Sequence, residues 1–189
     1  MDVCKPHSVH KTEAPIPFGS IEENSPLMQT RSHLPETDVS QSEEWVAGCL
    51  GRRNCYTFVV EELDAPERRV IGLVGAIRTP EVGYMFHPDS WGKGYATEAM
   101  VAYMPLLWEH VDPATAPEWR RYDYSEAFTD AENATSRKLL EKLGFTLWEI
   151  RRQEFNSPNL GLRDTAVYRI ARPGAALDLV AIPSHERVG

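Results

Sequence analysis

The sequence predicts one α/β (α+β) domain: a mixed, mostly antiparallel sheet with helices packed against it. Three observations carry that reading. Short apolar runs bounded by Pro and charge fill residues 56–86, the apolar period changes from two to 3.6 after Gly94, and a strand, a capped helix and a long hairpin follow over residues 122–170. The 189 residues suffice for one ordinary domain with short ends. They divide into an atypical, loosely ordered segment over 1–36, a domain over 37–171 and a tail over 172–189.

Taken in order, residues 1–36 contain Pro6, Pro15, Pro17, Pro26 and Pro35 and sustain neither period, so most of this segment reads as extended or loosely ordered. A helix is predicted over Asp38 to Leu50, with Ser40 or Ser42 as its cap and Trp45, Val46 and Leu50 at helical spacing. Tyr56 to Glu61 and Val70 to Ile77 read as a hairpin across a polar, Pro-containing turn, and Glu81 to Phe86 as a third strand closed by His87-Pro88. Beyond Gly94, the residues Ala96, Ala99, Met100, Tyr103 and Leu107 form one helical stripe. Pro105 lies inside that stripe. Proline lacks one backbone donor and crowds the carbonyl four residues back, so a kink or restart is expected near Met104.

Tyr122 to Phe128 reads as a strand. Thr129 and Glu132 form a capping-box pattern for a helix ending near Leu143, where Gly144 can stop it in the left-handed conformation. Phe145 to Phe155 and Leu162 to Ile170 then form a closing hairpin around Asn156-Ser157-Pro158-Asn159. Trp45, Trp108, Trp148 and Tyr168 fall on these patterned elements and suit core or interface packing.

Composition narrows the function. Twenty Lys plus Arg against twenty-eight Asp plus Glu give a net charge of −8, which disfavours a nucleic-acid face and suits attraction of a cationic substrate. Cys4, Cys49 and Cys55 are odd in number, carry no CxxC spacing and follow no apolar signal segment, so reduced thiols in the cytoplasm are expected. No stretch reaches the roughly 18 to 20 apolar residues of a membrane helix. The histidines and cysteines lack the convergent spacing of a metal site, so no metal is expected.

Trp91-Gly92-Lys93-Gly94-Tyr95-Ala96 sits between a strand and a helix. Glycines there allow a tight turn and close approach of backbone to ligand, and the first amides of the helix favour an anion such as a pyrophosphate. A plain glycine-capped turn has the same pattern. The third glycine of a dinucleotide fingerprint is missing, and no Gly-Lys-Ser/Thr completes a P-loop. A second signal is Asn133-Ala134-Thr135-Ser136, followed by Lys142-Leu143-Gly144-Phe145. Asn133, Ser136 and Leu140 share one helical face, so two short polar side chains lie where a purely structural helix would be apolar.

In this order, over about residues 38–170, the pieces resemble the GNAT superfamily of acetyl-CoA-dependent N-acetyltransferases. The run Gly83 to Ala99, with Gly83-Tyr84-Met85-Phe86-His87-Pro88 leading into the glycine turn, is most similar to the branch containing ribosomal-protein alanine N-acetyltransferases and small-amine acetylators. The resemblance implies a splayed central pair of strands, with acetyl-CoA as co-substrate in the gap. On that reading the backbone of Tyr84, Met85, Phe86 and His87 pairs with the pantetheine arm. The amides of Gly92, Lys93, Gly94, Tyr95 and Ala96, after Trp91, hold the pyrophosphate; Lys93 lies near the ribose phosphate, Asn133 bonds the pantetheine, and Ser136 sits near the sulfur.

The implied reaction is direct attack of a primary amine, on a small molecule or a peptide N-terminus, within a ternary complex of a monomer or homodimer. A strand amide stabilises the developing oxyanion. A protonated amine must first lose a proton, so a carboxylate near the thioester is wanted. Glu81 is the first candidate and Glu126 the second, although either also suits an ordinary surface charge, Glu126 beside Arg120 or Arg121. His87 suits a turn residue before Pro88. Many family members carry a tyrosine acid where Leu140 stands here, which leaves Ser136 as the donor to the leaving thiolate. The family's opening strand is also missing from residues 1–36. Those two departures keep open an acyl-CoA-binding protein with impaired catalysis, and a biosynthetic tailoring enzyme using another acyl-CoA is a further alternative.

Overall fold

The structure is a computed structural model and describes residues 9–11, 47, 56–63, 69–111, 122–157 and 160–177. Its sheet contains β1 (Val9–Lys11), β2 (Tyr56–Glu62), β3 (Arg69–Arg78), β4 (Glu81–Phe86), β5 (Tyr124–Asp130), β6 (Thr146–Ser157) and β7 (Gly161–Ala171), in the order β1-β2-β3-β4-β5-β7-β6. Two helices, α1 (Tyr95–His110) and α2 (Ala134–Lys142), lie after β4 and β5. All neighbouring strands are antiparallel except β4 and β5, which run parallel. The expected mixed sheet is therefore present.

β-Branched and aromatic residues at alternate positions make one face of the meander. Phe58, Val74 and Tyr84 lie side by side across β2, β3 and β4, and Val60, Gly72 and Phe86 form the next row. Above them α1 buries Ala99, Met100, Tyr103, Met104 and Leu107 at helical spacing. Tyr103 is fully buried; its ring centroid lies 5.9 Å from that of Phe58, and its hydroxyl donates to the Tyr56 carbonyl at 2.9 Å. Burying Met100, Leu107 or Ile71 favours folding by about 1.5–3 kcal/mol each.

Several sequence expectations change. Val9–Lys11 forms a strand paired with β2, so the segment over 1–36 does contribute an edge to the sheet. α1 does not restart at Met104; it runs through Pro105 as one 16-residue helix. Pro105 and Val101, the residue whose carbonyl loses its partner, both lie on the exposed side, where water can replace the missing bond. Thr129 does not cap α2: it lies within β5, paired with Ala166, and Asn133 is the cap. Asp130 redirects the chain instead, with its Oδ1 accepting from the Glu132 amide at 2.8 Å.

The end of α2 follows expectation. Gly144 has φ 89°, the Phe145 amide donates to the Leu140 carbonyl at 3.0 Å, and the Gly144 amide to the Glu141 carbonyl at 3.0 Å. This is a Schellman stop, sealed by the burial of Phe145 and Leu140 in one core. The helix expected over Asp38 to Leu50 lies outside the described residues except for Ala47, which is helical. Trp45, Cys4, Cys49, Cys55, Arg120 and Arg121 also lie outside them.

Candidate active site

The parallel pair β4 and β5 touches at one register position, Glu81 opposite Glu126. The Glu126 amide and the Ser125 hydroxyl both donate to the Pro80 carbonyl, at 3.0 and 2.7 Å. Beyond this point no further residues of the two strands pair, so they diverge toward their C-terminal ends and leave a gap. Backbone direction decides what lines it. Pro80 turns its carbonyl to β5, whereas the His87 amide donates to the Ile71 carbonyl of β3 at 2.8 Å. With the strand's alternation, Tyr84 and Phe86 present their amides and carbonyls to the gap, while Met85 and His87 face β3. Within the run Tyr84 to His87, the backbone offered to a ligand is thus that of Tyr84 and Phe86. The Phe86 carbonyl already accepts from Trp91 Nε1 at 2.8 Å.

At the mouth of the gap a single 3-10 turn, Pro88–Ser90, leads into the glycines. The Asp89 amide donates to His87 Nδ1 at 3.3 Å, which makes His87 the cap of this turn. Gly92 and Gly94 have φ of 70° and 87°, the left-handed region that L side chains rarely adopt. A Cβ built on either meets nothing within 4 Å, so the turn borders open space. Gly94 caps α1 without a side chain, and the Glu98 amide is the first to donate back, to the Gly94 carbonyl at 3.1 Å. The amides that open the helix have no carbonyl of an earlier helical turn to donate to, and they stand at the positive end of a 16-residue helix. Lys93 is exposed between the glycines. Tyr95 anchors the turn from below by donating its hydroxyl to Glu62 Oε1 at 2.5 Å.

The other wall is the start of α2. Asn133 Oδ1 accepts the Ser136 amide at 3.0 Å, so Asn133 and Ser136 are brought together as cap and third helical residue. Tyr84 crosses from β4 to meet them. Its hydroxyl lies 2.7 Å from Ser136 Oγ and 3.3 Å from the Ser136 carbonyl oxygen. Burial raises the Tyr84 hydroxyl pKa to about 12, against a smaller opposing effect of Ser136, so it stays protonated at neutral pH. Leu140 is buried in the core and carries no acid. Beside Tyr84, the fully buried Tyr168 of β7 donates to Glu141 Oε1 at 2.9 Å and accepts from Arg137 Nε at 3.0 Å. Burial raises its pKa as well.

Tyr84, Ser136, Tyr103 and Tyr168 place both helices on one face of the sheet. Glu81 and Glu126 lie on the opposite face, as register partners in a parallel pair. Glu126 accepts Arg169 Nε and Nη2 on one carboxylate oxygen, both at 3.1 Å. Its partner is therefore on β7. Arg169 was not anticipated from the sequence, and neither was the reach of the Tyr84 side chain. A lone charge within Ala166-Val167-Tyr168-Arg169-Ile170 and a phenol alternating with Val82 and Phe86 were the signals available. Among the described residues no group of three or more His, Cys, Asp or Glu could hold a metal ion, and no helix is long and apolar enough to cross a membrane.

A search of curated proteins returned no match. Among solved structures, mutant forms of a spermidine/spermine N-acetyltransferase from Vibrio cholerae are similar at 22% identity and TM-score 0.51, with 74% of this chain and 77% of that chain covered. A probable GNAT-family acetyltransferase from Chromobacterium violaceum is similar at 23% identity and TM-score 0.54, covering 74% and 70%. The ribosomal-protein-S18-alanine N-acetyltransferase of Escherichia coli is similar at 15% identity and TM-score 0.53, covering 76% and 82%. At these identities the likeness shows the fold. The family model of the acetyltransferase (GNAT) domain matches residues 18–146. With more than half the sequence matched and a glycine turn at the mouth of a splayed parallel pair, the chain belongs to the GNAT acetyltransferase family.

Proposed function

We propose that the protein transfers an acetyl group from acetyl-CoA to a primary amine, on a small molecule or a peptide N-terminus, by direct attack within a ternary complex. The observation that carries this is the gap opening beyond Glu81 and Glu126, with two left-handed glycines and the start of α1 at its mouth. Acetyl-CoA supplies the activated acyl group. The amides from Gly92 to Ala96 hold its pyrophosphate, Lys93 lies toward the ribose phosphate, and the backbone of Tyr84 and Phe86 with Asn133 lines the pantetheine arm. Open space at both glycines and the lack of a side-chain cap on Gly94 fit an anionic ligand there.

Glu81 takes the proton from the amine. It stands at the point where β4 and β5 part, on the face where Gly83, two residues on, is exposed. Ser136 and Tyr84 bring two hydroxyls to the leaving side in place of the acid missing at Leu140. A phenol with a pKa near 12 is a hydrogen-bond donor to a thiolate rather than a source of a full proton, and a thiol of ordinary pKa about 8.5 leaves acceptably as the anion. The similar enzymes described as spermidine and ribosomal-protein alanine N-acetyltransferases both imply nitrogen acceptors, which supports an amine here. Incubation with acetyl-CoA and a panel of amines, with products weighed by mass spectrometry, tests the reading. N-acetylated product with release of free CoA supports it; acetyl-CoA left intact with every amine contradicts it.

A further inference from the structure

We propose that Glu62 is a positioning residue for the anion-holding turn: through the hydroxyl of Tyr95 it fixes the start of α1, and so the amides that the turn offers to a diphosphate. The proposal rests on the reading above of Gly92 to Ala96 as the pyrophosphate site. The turn has little to hold itself. Gly92, Lys93 and Gly94 are exposed, both glycines are left-handed, and a Cβ on either meets nothing within 4 Å. Glycine moves readily between backbone conformations, so the shape of such a turn is set by what grips its two ends.

Both ends are gripped from the tip of the β2–β3 hairpin, where Glu62 and Arg69 are the last register partners. β3 carries one extra residue against β2 where the register shifts between Val60 and Glu61. That residue brings Arg69 onto the face that Phe58, Val60 and Glu62 turn toward α1. Before the glycines, Arg69 Nη2 lies 3.3 Å from Asp89 Oδ2 in the 3-10 turn. After them, the hydroxyl of Tyr95, the first residue of α1, donates to Glu62 Oε1 at 2.5 Å. The two grips are unequal. The Arg69 and Asp89 side chains are 49% and 67% exposed, and an ion pair so open to water holds little. Glu62 and Tyr95 are half-buried, and a phenol donating to a carboxylate makes a short, charge-assisted bond. A carboxylate near the start of α1 opposes an anionic ligand by its charge, so Glu62 serves the turn by position and not by attraction.

The test titrates acetyl-CoA by calorimetry into the wild type, Glu62→Ala, Tyr95→Phe, the double variant and Glu62→Gln, with thermal midpoints as the check on folding. Each of the first two substitutions raises the dissociation constant by about tenfold, within what one hydrogen bond to a charged group is worth. The double variant is no weaker than either, because both remove the same bond. Glu62→Gln keeps an acceptor for the phenol and sheds the opposing charge, so it binds within about twofold of the wild type. Wild-type affinity in Glu62→Ala or in Tyr95→Phe overturns the proposal and leaves the pyrophosphate reading standing, so either variant decides the matter if the other fails to fold. A double variant weakened by the product of the two single effects, or Glu62→Gln as weak as Glu62→Ala, overturns it equally. Wild-type protein that does not bind acetyl-CoA removes the pyrophosphate reading, and this proposal with it.

Discussion

The hydroxyl of Tyr84, on β4, lies 2.7 Å from Oγ of Ser136, in the first turn of α2, and so ties the two diverging halves of the sheet together on their helical face. The tie has a consequence at alkaline pH. Burial raises the Tyr84 pKa from 10.0 to about 12, so the folded state keeps a proton that the unfolded chain gives up. The corresponding stability is fully present below pH 10 and is lost as pH rises toward 12, amounting to about 3 kcal/mol. Denaturant midpoints from pH 8 to 11 should fall less steeply in Tyr84→Phe than in the wild type, with Tyr168 contributing equally to both. Parallel slopes would show that the Tyr84 hydroxyl does not titrate differently in the two states.

Gly72 on β3 is a site where a single methyl group disturbs the wall of the gap. A Cβ there would lie 2.5 Å from the Met85 carbonyl oxygen and 2.5 Å from Cδ1 of Phe86, both on β4. Backbone cannot yield as a side-chain tip can. Gly72→Ala should destabilise the fold by about 1–3 kcal/mol, read from urea or thermal unfolding, because β4 must shift away from β3. Unchanged stability would mean that the β3–β4 contact is looser than the structure has it.

Glu81→Gln should lower kcat by about a hundredfold near neutral pH, within the range for losing a general base, while acetyl-CoA affinity changes less than twofold. Rates in the variant should climb with pH as the amine itself loses its proton, and approach wild-type rates in alkali. A wild-type pH profile in Glu81→Gln would remove Glu81 from the reaction.

The elements were legible where the signal was local. Alternating Tyr56-Thr57-Phe58-Val59-Val60, the stripe from Ala99 to Leu107 and Gly144 after Leu143 each encode their own conformation, and all three are found. Thr129 misled because a capping box and the end of a β-strand use the same residue types; pairing of Thr129 with Ala166, distant in sequence, decided between them. Pro105 does not divide α1, and the carbonyl of Val101 that loses its partner lies on the exposed side where water reaches it. Within the site, the glycine turn and the Asn133–Ser136 pair could be read from spacing. Arg169 could not, since its contacts with Glu126, Tyr124 and Trp148 join three strands that only the folded sheet brings together.

Asn133→Ala separates the cap from the ligand. Losing the 3.0 Å bond from the Ser136 amide to Asn133 Oδ1 should cost about 1 kcal/mol of stability, measured by urea unfolding without ligand. Substitution by Ser or Asp, which also cap helices well, should restore that stability. Failure of both to restore it would show that the side chain does not act as the cap.

Calorimetric titration of acetyl-CoA into wild-type protein and Gly94→Asp bears most directly on the anion-holding turn. Gly94 has φ 87° and borders open space, so an aspartate there both strains the backbone and sets a negative charge against the diphosphate. The wild type should bind, and the substitution should raise the dissociation constant at least tenfold. Equal affinity in the two proteins, or no heat of binding in the wild type, would contradict the account.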